Sequence, residues 1–220
     1  MRQTIATRAR LAFPAAALAL ATAAAPALAA TPAGTGGWRL AATVAHPKQF
    51  VALDSVVALS ARDAWAAGAA GLPGSGPAVV EHWAGHGWRA ASLPMAVRRA
   101  LRGGARVVAS SAADVWLYNV HHWARWNGKS WSTGSIPVVR KGATKEGQLL
   151  AFGRSDAWFI GQYFTGAQPH SFAEHFNGRS WKAKPVPPIT GFLLDGASSS
   201  AICVINGQFG SAATPTKLVC

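Results

Sequence analysis

Seven histidines, eight carboxylates and two cysteines are the groups in this 220-residue sequence with the means to do chemistry. Their spacing limits what that chemistry can be. His82 and His175 stand in matching phrases, EHW and EHF, and so at equivalent points of separate units. His121-His122 is the one adjacent pair. Neighbours on a strand point to opposite faces, so one strand cannot aim both at a single ion. No metal site or cofactor is expected. Asp63, Asp114 and Asp156 each stand two residues before a tryptophan, and Glu81 and Glu174 open the EH phrases. Only Asp54, Glu146 and Asp195 fall outside these patterns. Asp54 and Glu146 each come at the start of an apolar run. Two carboxylates flanking a sugar would be the equipment of a glycosidase. The chain has no G-x-S-x-G nucleophile motif and no phosphate-binding loop.

The elements that must position these groups repeat. EHWAGHGW (81–88), ARWNGKSW (124–131) and EHFNGRSW (174–181) are three copies of one phrase. Upstream of each lies SARDAWAAG (60–68), SAADVWLYN (111–119) or GRSDAWFIG (153–161), and a proline follows each at 94, 137 and 187. The upstream tryptophans, Trp65, Trp116 and Trp158, are 51 and 42 residues apart. Periods of about 40–50 residues mark propellers and arrays, with room for four short strands per unit. Strand a is an apolar run such as 55–60 or 107–111. Strand b is DAWAAG, DVWLYN or DAWFIG. Strand c is AVVEHW (78–83) or SFAEHF (171–176). Strand d starts at Trp88, Trp131 or Trp181.

Asn127-Gly128 and Asn177-Gly178 sit between c and d. Asn-Gly suits the positive φ of a two-residue type I′ turn, and Ala84-Gly85 predicts a looser one. The aspartate before each strand-b tryptophan is expected to accept backbone N–H bonds where a turns into b. After residue 30 the only helical pattern is a turn or two within PMAVRRALRGG (94–104). The fold class is all-β, and the phrase reads as architecture rather than chemistry.

A fourth unit is incomplete. Residues 191–207 resemble strands a and b, and TKLVC (216–220) resembles strand c, with no strand d after it. GGWRLAATV (36–44) resembles a lone strand d, with Trp38 in the place of Trp88. The expectation is a β-propeller of four blades, each of four antiparallel strands, closed by the N-terminal strand completing the last blade. A truncated piece of a larger ring is the alternative. Trp65 to His82, Trp158 to His175 and Cys203 to Cys220 all span 17 positions. The two cysteines thus occupy the strand-b Trp and strand-c His positions of the fourth unit. A Cys203–Cys220 disulfide is expected there. In the second unit the aligned pair is Trp116 with Arg125, a cation–π pair worth about 0.5–1 kcal/mol if exposed.

These repeats resemble those of secreted actinobacterial-type proteins that read S-x-x-D-A-W-A-V-G, then E-H-W-N-G-x-x-W and a proline. Those proteins look like β-propellers of the kelch and galactose-oxidase-like group. The resemblance covers about residues 36–220. It implies the architecture and is nearly silent on function. The copper site of galactose oxidase is not carried over. It needs a Tyr–Cys pair, a second Tyr and two His, and the cysteines here have another role.

The N-terminus reads as a secretory signal peptide over residues 1–30. Arg2, Arg8 and Arg10 precede an apolar stretch, and Ala27-Leu28-Ala29 is a cleavage signal. A membrane anchor is the alternative, but the apolar stretch is short for the ~20 residues a bilayer span needs. Residues 31–220 then form one domain, secreted, with no transmembrane segment, and monomeric.

The net charge is +13, and +10 once the three leader arginines are set aside. Such an excess favours an acidic polysaccharide or a cell-envelope polymer as partner. Nucleic acid is excluded as a physiological partner by secretion. In a propeller the d–a and b–c loops share one face. The d–a loops carry Lys48, then Arg98, Arg99 and Arg102, then Arg140, Lys141 and Lys145. The b–c loop QYFTGAQPH adds Tyr163, Phe164 and His170. These are the candidate ligand-binding residues of a binding or scaffold module. The alternative is a carbohydrate-active enzyme, of glycosidase or lyase type, with carboxylates at the mouth of the central channel.

Overall fold

The computed structural model describes residue 46 and residues 50–71, 76–137, 139–187, 193–206 and 217–219. The predicted signal peptide, the strand around Trp38, Lys48 and Cys220 lie outside the described residues.

The described chain is all-β. Three four-stranded antiparallel sheets follow one another in sequence, each with its strands in chain order. The first holds β1 (Val51–Ser60), β2 (Asp63–Ala70), β3 (Ala78–Trp83) and β4 (Trp88–Ala90). A six-residue helix, α1 (Met95–Ala100), leads into the second: β5 (Arg106–Ser111), β6 (Asp114–Tyr118), β7 (His122–Trp126) and β8 (Trp131–Ser135). The third holds β9 (Thr144–Gly153), β10 (Asp156–Thr165), β11 (Gln168–Phe176) and β12 (Trp181–Lys184). A fourth sheet shows three strands, β13 (Leu193–Ser198), β14 (Ala201–Asn206) and β15 (Lys217–Val219). The expected a–d order is therefore present in each complete unit.

The cross-strand register follows the repeat. Trp65 pairs with His82, Trp116 with Arg125 and Trp158 with His175. On the other side the same three tryptophans pair with Val57, Val108 and Leu150 of the first strands, while Cys203 pairs with Asp195. Val57, Val108, Leu150 and Asp195 all line one cavity of about 460 Å³. Cys203 thus holds the tryptophan position of the fourth unit, as the spacing implied. The first strands lie side by side in the order β1, β5, β9, β13. Val107 N–H donates to Ser55 Oγ at 3.0 Å, a direct link from β5 to β1.

The second strands are the most deeply buried of the three complete sheets, and this explains the glycine that closes DAWAAG and DAWFIG. A Cβ on Gly68 would lie 1.8 Å from the Ala52 carbonyl oxygen, and one on Gly161 would lie 2.0 Å from that of Glu146. The second unit can hold Asn119 there because β5 starts only at Arg106, opposite Tyr118. Apolar residues pack between neighbouring sheets. One cluster joins Trp65, Val80 and Val97 to Val115 and Leu117, and another joins Trp116 and Ile136 to Leu149 and Phe159.

Three local expectations need correction. The c–d connections are four-residue loops, since Trp83 pairs with Trp88, Trp126 with Trp131 and Phe176 with Trp181. Only the glycine takes positive φ: Gly85 at 89°, Gly128 at 90° and Gly178 at 89°. The asparagine works through its side chain instead. Asn127 Oδ1 accepts the N–H groups of Lys129 and Ser130 at 2.9 Å, and Asn177 does the same for Arg179 and Ser180. Ala84 lacks that acceptor, and its loop is closed by a backbone bond of 3.5 Å against 3.2 Å in the other two.

The aspartates form the second correction. They do not cap the a–b turn but reach across to strand c. Asp63 Oδ1 meets His82 Nε2 at 2.8 Å, Asp156 Oδ1 meets His175 Nε2 at 2.9 Å, and Arg125 Nε donates to Asp114 Oδ1 at 2.6 Å. Third, QYFTGAQPH is no loop. It is the tip of the β10–β11 hairpin, in which Tyr163 pairs with His170 and only Gly166-Ala167 turn.

Candidate functional site

Two concave features lie where the d–a and b–c loops meet. The long connection from β4 to β5 is pinned to both neighbouring b–c loops. Gly103 N–H donates to the Gly76 carbonyl at 2.9 Å, and Asn119 Nδ2 donates to the carbonyls of Ala100 and Arg102 at 3.4 Å. Within it, α1 forms because Val97 and the following Leu101 drive into the core, 1 % and 0 % exposed. That leaves Arg98, Arg99 and Arg102 on the outer side, all exposed. They line a basin of about 400 Å³ together with Gly76, Pro77 and Met95. Among the described residues, no acidic one lines it. Arg98 Nε donates to the Leu93 carbonyl at 2.9 Å, which fixes one guanidinium relative to the helix start.

The second feature is an open cavity of about 530 Å³ at the ends of β1, β5 and β9. Asp54, Glu146, Arg106, Tyr118 and Asn119 are among its walls. Asp54 is the extra residue of an irregularity in the β1–β2 ladder, between Leu53 and Ser55, which lets it depart from strict alternation. Asp54, Glu146 and Arg106 are exposed, while Tyr118 is buried at 3 %. Burial pushes the Tyr118 hydroxyl above its ordinary range, with the Leu149 backbone and Arg106 partly opposing and Asp54 adding to the rise. Tyr118 is therefore a neutral phenol at any physiological pH.

No protein-family model matches the chain, and no curated protein matches it. The site must be read from its own geometry.

That geometry sorts the predicted residues. Arg98, Arg99 and Arg102 come together. Asp54 and Glu146 come together, with Arg106. Arg140 and Lys141 are exposed on the connection to β9 and line neither feature. Lys145 is not a loop cation: it lies in β9, 8 % exposed, and its ammonium donates to the Pro137 carbonyl at 2.9 Å. Burial lowers its pKa, and Glu174 partly restores it. Tyr163 and His170 stack on each other across the hairpin, centroids 5.0 Å apart, and Phe164 faces Pro169. His121 and His122 keep their rings 6.3 Å apart, and burial first, then Lys145, lowers the His121 pKa. Among the described residues, no three His, Cys, Asp or Glu side chains gather as a metal site, and no helix is long and apolar enough to cross a membrane.

Arg106 and Tyr118 were not singled out from the sequence. A signal for Tyr118 was present: the other repeats hold Ala67 and Ile160 at its position. A polar ring where the pattern needs only an apolar filler marks a departure from pure architecture.

Proposed function

We propose that the chain is a secreted β-propeller that binds an anionic envelope polymer or acidic glycan through its loop face. The carrying observation is the gathering of Arg98, Arg99 and Arg102 around one basin free of acidic residues. An excess of positive charge on the chain reinforces attraction of a polyanion at long range. Replacing all three arginines by serine should weaken retention on an anionic polymer by about tenfold at low salt, and added salt should weaken the parent protein likewise. Salt-independent retention, or none lost in the variant, overturns the reading.

Four blades closed into a ring is the architecture we propose beneath it, akin to the actinobacterial-type repeat proteins. The cavity shared by all four first strands supports it. So does a recurring contact between sheets: Trp65 meets Trp131 edge-on at 6.3 Å, and Trp116 meets Trp181 at 6.4 Å. In the sequence repeat Trp38 holds the position of Trp131 and Trp181. The register of β14 and β15, Val204 opposite Val219, continued by one residue brings position 220 opposite Cys203. Cys203 is not a free thiol, which supports the disulfide with Cys220. A disulfide in turn suits export through a signal peptide into an oxidising compartment.

A second reading has one observation in its favour. Asp54 and Glu146 line the same cavity, beside Arg106 and Tyr118. Under it the chain is a glycosidase or lyase. Polysaccharide turnover that disappears in Asp54→Asn or Glu146→Gln would establish this reading over simple binding.

A further inference from the structure

A fourth concave feature lies between the first and second sheets. It is a groove of about 650 Å³ whose walls include Trp65, Trp126, Trp131 and His82, with Arg89 and Lys129 at its edge. Its origin is visible in the repeat. At the next sheet junction Trp116 is packed on all sides, by Trp123 at 5.3 Å, Phe176 at 5.4 Å and Trp181 at 6.4 Å. At the first junction Val80 replaces Trp123. Trp126, the counterpart of Phe176, packs on Trp131 at 5.6 Å as Phe176 packs on Trp181 at 5.3 Å, but makes no ring contact with Trp65. His82 stacks on Trp65 at 4.2 Å, and the groove opens between Trp65, Trp126 and Trp131.

The groove also holds an unsatisfied donor. Trp65 is 9 % exposed, and its indole Nε1 is buried without a hydrogen-bond partner. In the second sheet the equivalent indole donates to Asp114 Oδ1 at 3.2 Å. Asp63 meets His82 at 2.8 Å and does not take the Trp65 N–H. A buried N–H without a partner is costly.

We infer that this groove is a binding site for an anionic sugar, a pyranose ring bearing a carboxylate or sulfate. The half-buried faces of Trp126 and Trp131 suit the apolar face of a pyranose. Arg89 and Lys129, both exposed, suit the acidic substituent. This site is separate from the arginine basin and stands or falls apart from it.

The test is a tryptophan fluorescence titration of the full secreted protein with a tetramer of hexuronic acid, alongside its carboxyl-reduced neutral form. The acidic tetramer should change the emission and the neutral form should bind more weakly. Arg89→Ser with Lys129→Ser should raise the dissociation constant about fivefold or more, with near-ultraviolet circular dichroism unchanged. Arg154→Ser with Arg179→Ser, an equal loss of charge at two exposed arginines that line none of the described cavities, should leave the titration as it is. The inference is overturned if the Arg89 and Lys129 variant titrates like the parent, if the Arg154 and Arg179 variant loses the response instead, or if an acidic peptide gives the response and the tetramer does not.

Discussion

The two junctions between complete sheets are built from the same repeat and differ in how they treat one tryptophan. At the second, Trp116 is wholly buried, and Arg125 lies over its ring with Cζ 5.0 Å from the centroid. Asp114, 1 % exposed, receives Arg125, the Trp116 N–H and Ser110 Oγ. Trp116 N–H and Asp114 are thus both satisfied there, while Trp123 Nε1, Trp181 Nε1 and Arg125 Nη2 are buried without a hydrogen-bond partner. At the first junction His82 replaces Arg125, stacking on Trp65 at 4.2 Å, and its partner Asp63 stays partly in water, 23 % exposed at the side chain. A guanidinium has enough donors and reach to hold a carboxylate and roof an indole together. An imidazole covers the ring and meets the carboxylate, and the indole N–H is left without a partner. The open junction differs from the closed one at two strand-c positions, His82 for Arg125 and Val80 for Trp123. Trp158 and His175 in the third sheet follow the imidazole pattern, and the Trp158 N–H is likewise without a partner.

The largest effect is expected from removing the tryptophans themselves. Trp116→Ala empties a fully packed pocket and should cost about 3–5 kcal/mol in chemical denaturation. Trp65→Ala, at an already open junction, should cost at least about 1 kcal/mol less. Equal costs would break the contrast. Next come the strand-c partners. Arg125→Met strands the buried Asp114 carboxylate and should cost about 3 kcal/mol or more. His82→Leu leaves Asp63 with access to water and should cost below about 1 kcal/mol.

A smaller effect concerns acid. Burial lifts the Glu81 carboxyl above the ordinary 4.5, with His46 partly opposing, and Glu174 is lifted in the same way with Lys145 opposing. Ala124 holds the equivalent place in the second sheet. A carboxyl raised on folding binds its proton more tightly in the folded state. Its contribution is therefore present below 4.5 and lost as pH rises through the raised value. Glu81→Gln should flatten the fall in stability over that window and gain most relative to the parent above it. Thermal unfolding at stepped pH reads this. A parent curve that instead rises with pH through the window, and loses that rise in Glu81→Gln, would contradict it.

Strand order, register and the place of Cys203 were legible because a repeat compares the chain with itself. Matching 17-residue spacings located cross-strand partners before any strand was seen. The loop chemistry was less legible. Asn-Gly marks a turn, but the asparagine serves through its side chain, and the following Lys-Ser or Arg-Ser lengthens the loop to four residues. Lys145 looked like a surface cation because it follows Arg140 and Lys141; its burial depends on β9 starting one residue earlier and on carbonyls of the preceding loop. The groove was hidden for a different reason. It arises beside Trp65, where Val80 stands in place of Trp123 and Trp126 makes no ring contact with Trp65, and such a difference is seen only once the junctions are set side by side.

We propose that the four sheets close into a ring completed by the N-terminal strand. Hydrogen exchange on the purified protein, oxidised and then reduced, tests this most directly. Residues 36–44 should be protected in the oxidised protein. On reduction, or in Cys220→Ser, they should lose protection first, together with residues 201–220, because closing a loop of this length stabilises by about 3 kcal/mol. The hairpin at Asn177-Gly178 should stay protected throughout. Residues 36–44 exchanging freely in the oxidised protein, or Cys203 and Cys220 both alkylating without reductant, would contradict the closed ring and favour a fragment of a larger one.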